Sequence, residues 1–129
     1  MNLEELKAYC LEKPGAYCDC PFGEYPVCCK AGGRIFAQLY DDGRMTVKCS
    51  PDQAREDREK YPEAAVQTEN GENWIRWNTV FWEKLPAEAV YTMLDRSYAH
   101  VMNGLSRSAR EEVLNPQPPK PAKGLWKRK

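Results

Sequence analysis

The sequence predicts an α+β domain, an antiparallel sheet of about five strands with two long helices packed on one face. Three observations carry this. Gly32-Gly33, Asp41-Asp42-Gly43 and Asn70-Gly71 separate short apolar runs, as hairpin turns do. Val90, Leu94, Tyr98, Val101 and Leu105 recur at helical spacing, with Met93 and Ser97 beside them. Three of the four tryptophans fall within residues 74–82, where side chains alternate between two kinds.

The elements follow in order. Asn2 caps a first helix, with Glu5 as its capping-box partner, and Pro14-Gly15 stops it. Residues 15–24 read as a loop. Strands are expected over 25–31, 34–40 and 45–49. Ser50-Pro51-Asp52-Gln53 opens a second helix, nearly all charged and therefore superficial, which Tyr61-Pro62 ends. A short strand over 64–68 leads through Asn70-Gly71 to the tryptophan strand. Pro86 opens the longest helix, to about residue 105. Residues 110–129, with their prolines and basic end, read as a disordered tail outside a single domain spanning 1–109.

A length of 129 residues suits one domain with a real core. No apolar run approaches the roughly 18 residues needed to span a bilayer. Met1-Asn-Leu-Glu-Glu lacks the order of a signal peptide, so a cytoplasmic protein with no membrane partner is expected, as a monomer. The net charge of zero is uneven: five of the 19 cations lie in 115–129 without an acid, leaving residues 1–114 at about −5. An acidic body argues against strong nonspecific duplex binding by the folded part. The six cysteines do not follow the Cys-x2-Cys spacing of a zinc knuckle and are read as free thiols that pack like small hydrophobes. No metal and no cofactor is expected.

Alternation assigns Val27, Cys29, Ile35, Ala37, Leu39, Met45, Val47, Ile75, Trp77, Thr79 and Phe81 to the helix-covered face. The opposite face would present Cys28, Lys30, Arg34, Phe36, Gln38, Tyr40, Thr46, Lys48, Trp74, Arg76, Asn78 and Trp82. That set holds four cations, four aromatic rings and no acid. Cations meet phosphate and rings stack on bases, so Arg34, Lys48, Trp74, Arg76, Asn78 and Trp82 are the candidate binding residues, with DNA as the partner they suit. Aromatic cross-strand pairs and cation–π contacts also stabilise sheets that bind nothing. A single bulge would exchange the faces of a strand.

These pieces together resemble the MmcQ/YjbR family of small bacterial proteins across roughly residues 2–105. They are Pro14-Gly15-Ala16 with Asp19 and Pro21-Phe22-Gly23; Lys30 with Gly32-Gly33-Arg34-Ile35-Phe36-Ala37; Lys48-Cys49 with Pro51; Tyr61-Pro62; Trp77-Asn78-Thr79-Val80; and Leu94-Asp95-Arg96-Ser97-Tyr98. The resemblance implies a CyaY-like fold, similar to frataxin-type proteins and to a double-wing DNA-binding domain, and brings no catalytic residues with it. The cysteines at 18, 20, 28 and 29 depart from the family pattern. So do Trp74 and Arg76, which stand where Lys and His are more usual.

The function expected is therefore a non-enzymatic, nucleic-acid-interacting module. The alternatives are a protein- or small-ligand-binding module, or weak iron binding by the frataxin analogy, through Glu4, Glu5 and Glu12 on the first helix and Asp52, Glu56, Asp57 and Glu59 on the second. No catalytic residue is assigned, and His100 reads as a solvated helix residue.

Overall fold

Asn2 and Ser50 do what their sequence neighbours suggest. The Asn2 side chain accepts the Glu5 amide at 2.9 Å, and Ser50 Oγ accepts that of Gln53 at 3.2 Å. They start helices α1 (Leu3–Leu11) and α2 (Pro51–Lys60). The structure, a computed structural model, describes residues 1–68 and 76–115. Its strands are β1 (Tyr17–Asp19), β2 (Val27–Ala31), β3 (Arg34–Leu39), β4 (Arg44–Lys48), β5 (Ala65–Gln67) and β6 (Trp77–Phe81). Two further helices are α3 (Ala87–Asn103) and α4 (Arg107–Leu114). The Asn70-Gly71 turn, Trp74, Ile75 and residues 116–129 lie outside the described residues.

The strands form one antiparallel sheet in the order β1-β2-β3-β4-β6-β5. It has six strands rather than five, because part of the expected 15–24 loop pairs with β2 as a short edge strand. Helices α1, α2 and α3 cover one face. Leu6 and Cys10 of α1 and Val90, Met93, Leu94, Val101 and Met102 of α3 share a core with Val27, Cys29, Leu39, Met45, Val47 and Val80. Helix α2 closes the β5–β6 side of that face, where the Asn78 side chain donates to the Ala54 carbonyl at 3.0 Å.

Two strands turn their side chains differently from the expected alternation. Cys29 pairs with Ala37 but Lys30 pairs with Ile35, so Phe36 is an extra residue in β3. This bulge carries Phe36 into the core, wholly buried and edge-on to the Tyr98 ring at 5.5 Å. It leaves Ile35 on the open face beside Lys30. In β6, Val47 pairs with Asn78 and Met45 with Val80, so Asn78 and Val80 point to the helices. Trp77, Thr79 and Phe81 therefore lie half-buried on the open face, not in the core. Asn78 tolerates full burial because Arg58 Nη1 donates to its Oδ1 at 2.9 Å while its own amide is used on Ala54.

Helix α4, capped by Ser106, crosses the domain end expected at 109. Ala109 and Val113 pack against the core, and α4 sits so close to the first turn of the chain that a Cβ on Gly15 would lie 2.4 Å from Val113 Cγ1. Gly15 also has φ of +72°, so it is constrained twice.

Replacing Asn78 with Ala removes a buried side chain and strands both Arg58 and the Ala54 carbonyl. Denaturant unfolding is expected to show a loss of about 2–3 kcal/mol. Unchanged stability would mean that Asn78 is not the link between α2 and the sheet.

Candidate nucleic-acid interface

One end of the sheet gathers the start of β3, the end of β4 and the start of β6, and the C-terminal turn of α3 closes over it. Three of the expected binding residues meet there. Arg34 is exposed, its guanidinium over Gly104 at the end of α3, 3.5 Å from where a Cβ would sit. Lys48 ends β4, half-buried, with Nζ 5.8 Å from the centre of the Trp77 ring. Arg76 is half-buried just before β6, and its carbonyl accepts the Cys49 amide at 2.9 Å. His100, which had read as a solvated residue, is half-buried in the same region.

These groups feel one another. Burial, then the charges of Arg34 and Arg76, hold Lys48 below its ordinary value. Burial, then Lys48 and Arg76, hold His100 below its ordinary 6.5. Among the described residues, no carboxylate lies within ion-pair distance of Arg34, Lys48 or Arg76. Like charges brought together without a counter-ion create a local positive potential on a body of net negative charge. A cavity of about 270 Å³ adjoins it between α2 and α3, lined by Ser50, Gln53, Arg96, Ala99, His100 and Asn103.

The other expected residues stand elsewhere. Asn78 is wholly buried and Trp82 is 4% exposed, so neither reaches a ligand. Trp74 lies outside the described residues. Trp77, Phe81 and Tyr40 do face outward, and each has a cation near its ring. Lys84 Nζ is 5.3 Å from the Phe81 ring centre and Arg44 is 4.5 Å from that of Tyr40. Away from the basic end, cations are balanced by acids: Lys30 pairs with Asp19 of the edge strand at 2.9 Å and Arg44 with Asp42 of the β3–β4 turn at 2.8 Å. Between them runs a polar row, with Thr46 donating to Gln38 at 2.9 Å and Thr68 and Thr79 sharing a hydrogen bond of 2.9 Å. A shallow concavity of about 470 Å³ lies over Tyr40, Thr46, Thr68, Thr79 and Phe81. Trp77 and Phe81 were missed because β6 was assigned the wrong face. His100 was missed because its neighbours come from distant strands.

Three of the four acids of α2 are paired, Asp52 and Glu59 with Arg55 and the buried Asp57 with Arg96, while Glu56 stands exposed. Among the described residues, no group of three or more His, Cys, Asp or Glu is arranged to hold a metal. No described helix is long and apolar enough to cross a membrane.

A family model described as YjbR matches residues 11–100. The uncharacterized protein YjbR of Escherichia coli (strain K12) is 28% identical over 118 residues, 88% of this chain and 98% of that protein. The protein of the same name from Escherichia coli O157:H7 matches to the same extent. The crystal structure of a Deinococcus radiodurans protein with a DUF419 domain aligns with a TM-score of 0.77 at 25% identity, covering 87% of each chain. A Pseudomonas syringae protein shares the fold, with a TM-score of 0.60 at 17% identity over 75% of this chain and 96% of its own.

His100 is the sole histidine, so its titration can be followed alone by NMR. Because its folded-state value is depressed, the stability gained from keeping it neutral is present above 6.5 and lost as pH falls through the folded value. The midpoint is expected below 6.5, moving up in Arg76→Ala as one neighbouring charge is removed. A midpoint at or above 6.5, or one indifferent to Arg76→Ala, would separate His100 from the cation cluster.

Proposed function

The chain belongs to the YjbR family, and from that premise we propose that it is a non-enzymatic nucleic-acid-binding module that grips phosphates with the basic end of its sheet. The observation that carries this reading is the convergence of Arg34, Lys48 and Arg76 without a carboxylate partner among the described residues. Phosphate supplies the missing counter-charge, and Trp77, beside Lys48, offers a ring on which a base can stack. DNA is the first ligand to test. The basic residues of 115–129 would add attraction that is not sequence-specific. The module would act as a cytoplasmic monomer.

A second reading rests on a different observation, the concavity over Tyr40, Thr46, Thr68, Thr79 and Phe81. Its rings and hydroxyls suit a small neutral ligand or a partner's side chain better than a phosphate.

Affinity for duplex and single-stranded DNA, measured against salt, separates the two. Three phosphate contacts give a slope of about −3 in log affinity against log salt, and Arg76→Ala is expected to flatten it by about one. Absence of binding at low salt would sink the nucleic-acid reading. Loss of binding only on removal of residues 116–129 would assign it to the tail instead. A small molecule that stabilises wild type and Arg76→Ala equally would support the concavity.

A further inference from the structure

The cysteines that set this chain apart from its family pattern are not scattered. Cys18 of β1 and Cys29 of β2 are directly opposed partners in the antiparallel ladder. Their sulfurs lie 3.3 Å apart. Cys29 is wholly buried, while Cys18 is half-buried on an edge strand of only three residues. Cys10 of α1 is buried against Cys29 from the helix side. Directly opposed antiparallel residues have Cα separations of about 4.5–5.5 Å, inside the range that a disulfide spans. Closing the present gap to a bond of about 2.04 Å needs the sulfurs to approach by about 1.3 Å. A short edge strand, tied on one side only, can supply that movement.

From this geometry we propose that Cys18 and Cys29 form a redox-active dithiol that undergoes thiol–disulfide exchange with an incoming disulfide. Cys18, the accessible member, attacks the external disulfide as its thiolate. A Cys18–S–S–R bond forms and one thiol leaves, taking up the proton that Cys18 gave up. Cys29 then loses its own proton and attacks the Cys18 sulfur. The Cys18–Cys29 bond forms and the second thiol leaves with that proton. The protein dithiol is oxidised by two electrons and the external disulfide is reduced to two thiols. The product staples β1 to β2 and fixes the edge of the sheet.

The structure holds both thiols in the reduced form. The hydrogen bond between the thiols, then burial, pushes Cys18 above its ordinary value. The bond to Cys10 and burial push Cys29 up, against partial relief from Cys18. A raised thiol value disfavours the thiolate that exchange requires. The pair is suited to recording a sustained oxidising condition rather than a brief one. Cys20 is exposed but has no sulfur opposite it in the ladder, and Cys49 is buried behind α2.

The test uses the full chain, reduced, then incubated with glutathione disulfide, alkylated and digested for mass mapping. A Cys18–Cys29 cross-linked peptide is expected as the main product, two hydrogens lighter than its parts, with a thermal midpoint several degrees higher. Cys29→Ala is expected to leave glutathione trapped on Cys18. Cys18→Ser, a substitution at a half-exposed site that the fold should tolerate, is expected to give neither product. Recovery of Cys18 and Cys29 as free thiols, with glutathione only on Cys20, would overturn the proposal. So would a dominant bond between any other pair.

Discussion

The Ser97 hydroxyl is the contact on which the basic end of the sheet depends. Strands β3 and β4 pair from Leu39–Met45 to Ala37–Val47, and the next pair would be Phe36 with Lys48. The bulge at Phe36 breaks that step, leaving a carbonyl and an amide facing each other across a gap inside the protein. Ser97, wholly buried on α3, fills it: its hydroxyl accepts the Lys48 amide at 2.8 Å and donates to the Phe36 carbonyl. A helix side chain thus takes the place of a ladder bond. Without it, two buried backbone groups would lose their partners, at about 1–3 kcal/mol each. The insertion also fixes how far apart the strands stand where Arg34 and Lys48 emerge, and it docks α3 so that His100 comes beside them.

Ser97 belongs to a run in which neighbouring residues reach different parts of the fold. Asp95 receives Tyr9 at 2.7 Å and pairs with Lys13, holding α1. Arg96 pairs with Asp57, holding α2. Tyr98 donates to the Pro14 carbonyl at 2.6 Å and packs edge-on to Phe36. Leu94 fills the core. Successive helical residues point about 100° apart, so five in a row can reach every side of α3. Leu94-Asp95-Arg96-Ser97-Tyr98 is the hub that joins α1, α2 and the sheet. The ionic contacts add definition more than stability, since a pair such as the buried Asp57 with the half-buried Arg96 offsets part of its gain with desolvation.

Local chemistry was legible in the sequence, and distant partners were not. Asn2, Ser50, the turns at Gly32-Gly33 and Asp41-Asp42-Gly43 and the spacing from Val90 to Leu105 each specify their element through neighbours a few residues away, and each of these elements formed. The face of β6 could not be read that way. Trp77-Asn78-Thr79-Val80-Phe81 is apolar on either parity, and what decides it is Arg58 and the Ala54 carbonyl, some twenty residues earlier, which give Asn78 a satisfied place inside. The Phe36 bulge depends equally on Ser97, far along the chain. β1 is too short to show a pattern, whereas the Ala109 and Val113 spacing behind Ser106 was a visible signal of α4. Arg34, Lys48 and Arg76 do converge, yet what brings them together is the shared end of three strands rather than a common sheet face. The ring that stands beside Lys48 there is Trp77, and Trp82 is buried.

Hydrogen exchange at the Lys48 backbone amide tests most directly whether Ser97 holds this arrangement. In the wild-type protein that amide is expected to exchange only through global unfolding, as slowly as the amides of Val47 and Val80. In Ser97→Ala it is expected to exchange by local opening, orders of magnitude faster than theirs, while the far end of β4 stays protected. Rapid exchange of Lys48 in the wild type, or equal protection with and without the hydroxyl, would contradict the insertion of α3 into the ladder and the placement of the basic site that rests on it.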